Sequence, residues 1–365
     1  SYDRLSVLDL AEGGGIVSKG QVSGIAKSDG VILSEFLGGV GVVDNVSLNA
    51  ESDTTADTTV AVGVGGGVVS GGADGLAEVT PHVNAILGSH LNVAGDVQLH
   101  SSSRGDANTL VLQQSTGLVV SGDMVSNAFV SPTVEAVITE GTQVVAGGSI
   151  DLVTTHNITN DGNLIPKGAR AVTSGTADAA LTNVEVSSTA DSQPEVSSRA
   201  ENLTRLVAGE NLVIHARSFN DAVGIANGMA VGAGGDGSIK ATADSLGTVE
   251  ALLDGVDNVR VNTGDIDILA QSRNDAHASA IAAGGGAIAY VNAATADATS
   301  EPEVDARIDA ESGISAGGNV SIVSLGAGDV RADAVEKSKG GFFNKGAVKA
   351  SGTYRPKVES LVSEN

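Results

Sequence analysis

Five of the six prolines in this chain mark one point of one repeated pattern. Pro302-Glu303-Val304-Asp305-Ala306-Arg307-Ile308 precedes a Gly/Ser-rich turn and then Gly318-Asn319-Val320-Ser321-Ile322. The same pairing recurs as Pro81–Ile86 before Gly95–Leu99, Pro132–Val137 before Gly148–Leu152, and Pro194-Glu195-Val196 before Glu210–Ile214. In one copy Thr248 takes the proline's place, ahead of Gly264–Ile268, and Pro356–Leu361 opens a last half-copy. The Gly-x-apolar-x-apolar element starts at Asp44, Gly95, Gly148, Glu210, Gly264 and Gly318, in steps of 51, 53, 62, 54 and 54 residues. From each proline position to the next start the steps are 14, 16, 16, 16 and 16. The long copy carries its excess at Asn157–Gly168, where the sixth proline, Pro166, sits, so the excess reads as an insertion.

Periods of this size imply a stacked array in which each unit buries its apolar face against its neighbours. The spans are 1–43 (partial), 44–94, 95–147, 148–209, 210–263, 264–317 and 318–365 (truncated). In the partial copy, Leu5–Leu10 stands where the Gly-x-Val element belongs, Gly13–Gly15 at the glycine cluster, and Gly30–Leu33 at the proline strand. Within each copy, segments such as Ala276–Ala282 and Ala294–Ala298 alternate small apolar with polar residues, the period of a strand, and Val, Ile and Thr reinforce it. Glycines at Gly65–Gly67, Gly117, Gly168, Gly234-Gly235, Gly284–Gly286 and Gly340-Gly341 mark tight arcs between strands. The expected fold is all-β: a parallel β-solenoid (β-helix) of six to seven repeats of about 54 residues. Whether a repeat makes one wide coil or two narrower ones stays open at this point, as do antiparallel arms reaching across the glycine turn.

Composition narrows the function. The apolar positions are mostly Val and Ala, with five Phe, three Tyr and no Trp, so the expected interior is thin. A net charge of −24 argues against nucleic acid as a partner. With no cysteine, thiol chemistry and disulfides are excluded. No apolar run is long enough to span a membrane as a helix. Ser1–Arg4 is no signal peptide, and a repeat already under way there reads as a fragment of something longer.

A search for chemistry yields no catalytic, cofactor-binding or metal-ligating set. His82, His90, His100, His156, His215 and His277 read as surface or strand-end residues, with His100 and His215 at one repeat position. Gly72–Gly75, Asn160–Asn163 and Gly235–Gly237 offer oxygens for Ca²⁺, the one ion the composition admits, but match no calcium-loop pattern. Asp151, Asp267 and Glu195 read as a solvated charged face rather than a glycosidase pair. From Arg331 onward seven basic residues meet four acids, a local +3 against −27 for residues 1–330. That end, with Phe342-Phe343 at its glycine turn, reads as one that docks on an acidic neighbour.

The run of a Val-x-Ala-x-Ile strand, Ala316–Ile322, Ala-x-Ala alternation and a glycine triplet resembles the repeats of giant bacterial exoproteins, the leukotoxin-type filamentous adhesins related in style to filamentous haemagglutinin. The resemblance covers nearly the whole chain, most clearly Ala208–Leu325, and implies an extracellular or cell-surface structural segment with no catalytic residues to carry over. The expected role is a rigid rod for attachment or for matrix and fibre formation. Its partners are then copies of itself end to end, or a longer stretch of its own chain, and host or matrix carbohydrate or protein. The rival expectation is a β-helix enzyme or binding module acting on polysaccharide.

Overall fold

The structure, a computed structural model, describes residues 2–38, 41–159, 162–310, 313–339 and 343–364. The described residues are all-β, and the strands pair in parallel with the equivalent strand one repeat away. Val46, Val97, Ile150, Leu212, Ile266 and Val320 form one continuous ladder. Because partners lie a whole repeat apart, one repeat makes one wide coil, and seven coils stack. The coil beginning at Gly95 contains strands Val97–Val130, Thr133–Ile138 and Gln143–Ala146. The first two belong to a 15-stranded sheet and the last to a separate six-stranded sheet.

The long strand is an arm that runs out and back. Its buried positions are odd-numbered from Val97 to Ser115 and even-numbered from Val120 to Val130, so the phase reverses across Gly117–Val119. Inside the arm the two layers touch: Thr109 Oγ1 donates to the Asn127 carbonyl and Thr58 Oγ1 to the Leu76 carbonyl, both at 2.7 Å. Each coil therefore has two interiors. The arm is filled by small residues such as Ala56, Ala77, Ala107, Ala128, Ala226 and Ala280. The body encloses larger ones, among them Leu99, Ile138, Ile150, Leu212, Ile214 and Leu253. The Val/Ala interior expected from composition describes the arm almost throughout, Met124 and Ile239 excepted, whereas the body mixes Val and Ala with Leu and Ile.

Between arm and body lies a buried polar neck. Asn220 and Asn274, both fully buried, face inward one rung apart, and Asn220 Nδ2 donates to Asn274 Oδ1 at 2.9 Å. Ser218 Oγ donates to Asn220 Oδ1 at 2.7 Å, and Asn274 Nδ2 donates to the Ser245 carbonyl at 3.2 Å. Each polar atom named here is satisfied, the condition under which a buried amide does not destabilise its surroundings.

The repeated Gly-Asx corner has a steric cause. Asn45 Oδ1 accepts from the Asp96 amide at 2.8 Å, Asp96 Oδ1 from Ser149 at 2.9 Å, Asn211 Oδ1 from Asp265 at 3.0 Å, and Asp265 Oδ1 from Asn319 at 2.6 Å. Each accepting oxygen occupies the space a Cβ would need on the glycine of the next coil: 2.2 Å at Gly95, 2.1 Å at Gly148, and 2.2 Å at Gly264 and Gly318. Where the side chain below is the shorter Ser149, whose Oγ accepts from Asn211 N at 3.3 Å, the glycine position holds Glu210. A glycine here and an Asx one coil earlier are two halves of one contact. The corner after the proline strand is left-handed in four coils, at Gly141 (φ 75), Asn202 (φ 50), Gly255 (φ 61) and Gly313 (φ 96), a region that favours Gly and Asn.

Three positional expectations are corrected. Leu5–Leu10 pairs with Ala56–Ala61 and so belongs to the outgoing arm; the corner strand starts ten columns earlier, at Val46. The residue in the proline column is Gly247, which pairs with Pro302, whereas Thr248 pairs with Glu195 and Glu303. Gly168 closes the insertion, and the arm tip of that coil is glycine-free, with Ala179 paired to Gly117. The Gly340–Phe342 turn lies outside the described residues.

Gly264→Ala should lower the urea midpoint, and Asn211→Ser in the same chain should recover part of the loss, with a favourable coupling of about 1–3 kcal/mol. Simple additivity of the two changes would contradict the paired-contact account.

Candidate functional site

The insertion is the largest departure in length among the described coils. Ser103 pairs with His156 and Ala107 with Ala169, so residues 157–168 replace the three residues 104–106 and account for the nine-residue excess of a 62- over a 53-residue step. The described part, residues 157–159 and 162–168, forms a small hairpin. Ile158 and Leu164 make an antiparallel bridge, and the Gly162 amide donates to the Thr159 carbonyl at 2.8 Å. Its base is held by Asn157, fully buried and left-handed (φ 50). Asn157 Oδ1 accepts from the Gly105 amide at 3.0 Å while its Nδ2 donates to the Lys167 carbonyl at 3.0 Å. The returning limb is tied two coils away, where Lys167 Nζ meets Asp53 at 2.6 Å.

The hairpin folds over the outer face of the corner strands. A pocket of about 300 Å³ lies there, lined by Asn49, Glu51, His100, Ser102, Val153, Thr155, Thr159 and Arg217, with the backbone of Ala50 and Ser101. Two columns supply it. Glu51, Ser102, Thr155 and Arg217 are consecutive ladder partners, and so are Asn49, His100, Val153 and His215. The shared position of His100 and His215 and the insertion, two separate features of the sequence, are thus brought to one site.

Arg217 is oriented from behind. His215 Nε2 lies 2.9 Å from Asp267 Oδ2 and its Nδ1 lies 3.4 Å from Arg217 Nη2. Burial pulls the His215 imidazole below its ordinary range, against the opposing influence of Asp267. A neutral ring then donates its Nε2–H to Asp267 in a hydrogen bond and accepts at Nδ1 from Arg217. The buried Nε of Arg217 has no protein partner. Asp151, on the adjacent column, is pushed upward by burial, with His100 and His215 opposing the shift.

The other leads do not converge on a reaction centre. His156 is the strand-end residue expected from the sequence, closing Ile150–His156, but it is fully buried rather than exposed; it occupies the column of Ser103 and Ser218 beside the hairpin base. Among the described residues no three His, Asp or Glu side chains come together as a metal site. Asn160-Asp161 lies outside the described residues. Glu135, Glu195 and Glu250 line a second pocket of about 270 Å³ with Arg199, but Arg199 already binds Glu135 at 2.6 Å and Glu201 at 3.2 Å. Burial raises Glu250, and Arg199 opposes the shift. This is an ion-pair lattice across coils. At the basic end, Lys349 reaches Asp297 at 3.5 Å, Arg355 reaches Glu301 at 3.7 Å, and Lys357 pairs with Glu303, so the acids these cations meet belong to the preceding coil of the same chain. No known protein family matches the chain, and neither any curated protein nor any solved structure is similar to it.

His156 gives the site a pH signature. Loss of water around the buried ring lowers its pKa to about 3 from 6.5, with the Ser103 backbone opposing weakly. A folded-state value below the unfolded one means stability that is complete above pH 6.5 and is lost as pH falls toward 3. The loss is about 1.4 kcal/mol per pH unit across that window. Urea denaturation of His156→Gln should therefore show a shallower decline than the parent between pH 6.5 and 4.5, by roughly 2 kcal/mol. Parallel stability profiles would rule out burial of a neutral ring.

Proposed function

We propose that this chain is a structural and adhesive segment of a secreted or cell-surface repeat protein of the filamentous-adhesin kind, extended by end-to-end stacking of coils. The observation that carries this reading is the coil-to-coil ladder, which runs from the first coil to the last with local bulges at Gly232/Gly234 and Asp254/Val256. An open coil end presents unpaired backbone as a template for another strand. Both ends also expose apolar side chains: Val31, Leu33 and Leu37 at one, and Val320, Leu361 and Val362 at the other. Seven coils at about 4.8 Å rise only about 30 Å, while the roughly twenty residues from corner strand to arm tip span about 65 Å. A single segment is a broad plate, and length comes only from adding coils.

Projecting the columns through the stack places the charge of the last coil above that of the first. Lys337 shares a column with Glu12, and Arg355 with Asp29; Lys345 over Lys19 is the opposing like-charge pair. Arg355 is well exposed, and a partner of opposite sign would shield it from water. The perturbed carboxylates fall on three columns: Asp191 and Asp244 are ladder partners, Asp221 pairs with Asp275 and Asp305 with Glu250, and burial is the chief cause at Asp191, Asp221, Asp244 and Asp305.

Electron microscopy of the purified chain at rising concentration should show stacks of variable length. Arg355→Glu should shorten them at low salt, and adding Asp29→Arg should restore them. A chain that stays monomeric by sedimentation at every concentration, or an Arg355→Glu variant that stacks as the parent does, would remove the end-to-end model.

A further inference from the structure

We infer that the strip beneath the hairpin is a binding site for a glycan residue bearing a carboxylate, a uronate-type sugar, with Arg217 taking the carboxyl group. This goes beyond the stacking role and does not depend on it. The carboxylate preference comes from Arg217. Its guanidinium is fixed by the Asp267–His215 pair behind it, and its buried Nε has no protein partner. With one Nη2 proton given to His215 and Nε without a protein acceptor, the preoriented guanidinium keeps N–H groups for the two oxygens of a carboxylate. The hairpin lies against it, since a Cβ on Gly162 would sit 4.0 Å from Arg217 Nη1.

The sugar preference comes from the rest of the strip. Below Arg217 the ladder presents Thr155, then Ser102, then Glu51, flanked by Thr159 of the hairpin and His100 of the next column. Three rungs cover about 14 Å. This is a row of hydroxyls between a cation and an anionic acceptor, suited to a polyhydroxylated chain with its acid group toward Arg217. Val153 offers the apolar patch on which the C–H face of a ring can rest. An extended peptide fits less well. It would need free backbone to pair with, and the coils carrying Ser102, Thr155 and Arg217 each have a neighbouring coil on both sides. Only side chains point out of this face.

The test is titration of the whole chain, followed by NMR or calorimetry, with four probes. These are a galacturonate oligomer, a neutral galactose oligomer of equal length, monomeric galacturonate, and a tetrapeptide with a free C-terminal carboxylate. The acidic oligomer should bind saturably and at least about tenfold tighter than the neutral one or the monomer. Arg217→Gln should abolish that difference. His215→Gln, which leaves Arg217 in place but unanchored, should weaken it. Thermal melting checks each fold; should Arg217→Gln fail to fold, the exposed-face changes Thr155→Val and Ser102→Ala should each weaken the oligomer in its place. No saturable binding, equal affinity for acidic and neutral oligomers, variants that bind as the parent does, or a peptide that binds tighter than the oligomer would each overturn the assignment. Monomer binding equal to the oligomer would reduce it to a site for small acids and overturn the glycan reading.

Discussion

Every coil depends on the coil beneath it for its backbone hydrogen bonds. Among the described residues the strands of the main sheet pair with those of neighbouring repeats, so no single repeat has closed its own donors and acceptors. This constraint explains why the period is held so closely: a step that changes by even one residue turns every later side chain to the opposite face. Where the step between coils does change, the extra residues are taken up at corners, in the hairpin, or at local bulges such as Gly232/Gly234 near an arm tip. The Gly-Asx corner adds a second lock, because an oxygen from one coil occupies the space that the next coil leaves by having no Cβ.

The arm and the body solve different problems with the same ladder. The body is closed by three strands and can hold Leu and Ile; the arm has two apposed layers and tolerates little more than Ala, Val and Thr. The neck between them is polar, and the asparagines there are bonded rather than hydrated. Small side chains bring little hydrophobic stabilisation each, on the order of 0.8 kcal/mol per buried methylene, so the arm relies on many rungs acting together. That is the physical reason such an arm belongs to a stack and not to an isolated coil.

Much of this architecture was legible in the sequence because the spacing of Asp44, Gly95, Gly148, Glu210, Gly264 and Gly318 is itself the ladder offset. The alternation in Ala276–Ala282 correctly gave strand, and the insertion was bounded correctly at 157–168. What was hidden depends on contacts between coils. Gly247 could not be told from Thr248 as the proline equivalent, since only pairing to Pro302 distinguishes them. His156 looks like any strand-end histidine until the coils above and below enclose it. The polar neck was missed because serine and asparagine at alternating positions look outward-facing in a linear reading. Nor could the sequence bring Arg217 to the hairpin: the two are joined by a step of one full coil.

A stack of near-identical rungs is almost unchanged when shifted along its axis, so a binding partner meets the same surface again and again. The hairpin at 157–168 breaks that translational sameness once. A feature that occurs on a single storey gives the column an address: whatever binds there is counted once per chain and held at a fixed height, however many storeys lie above or below.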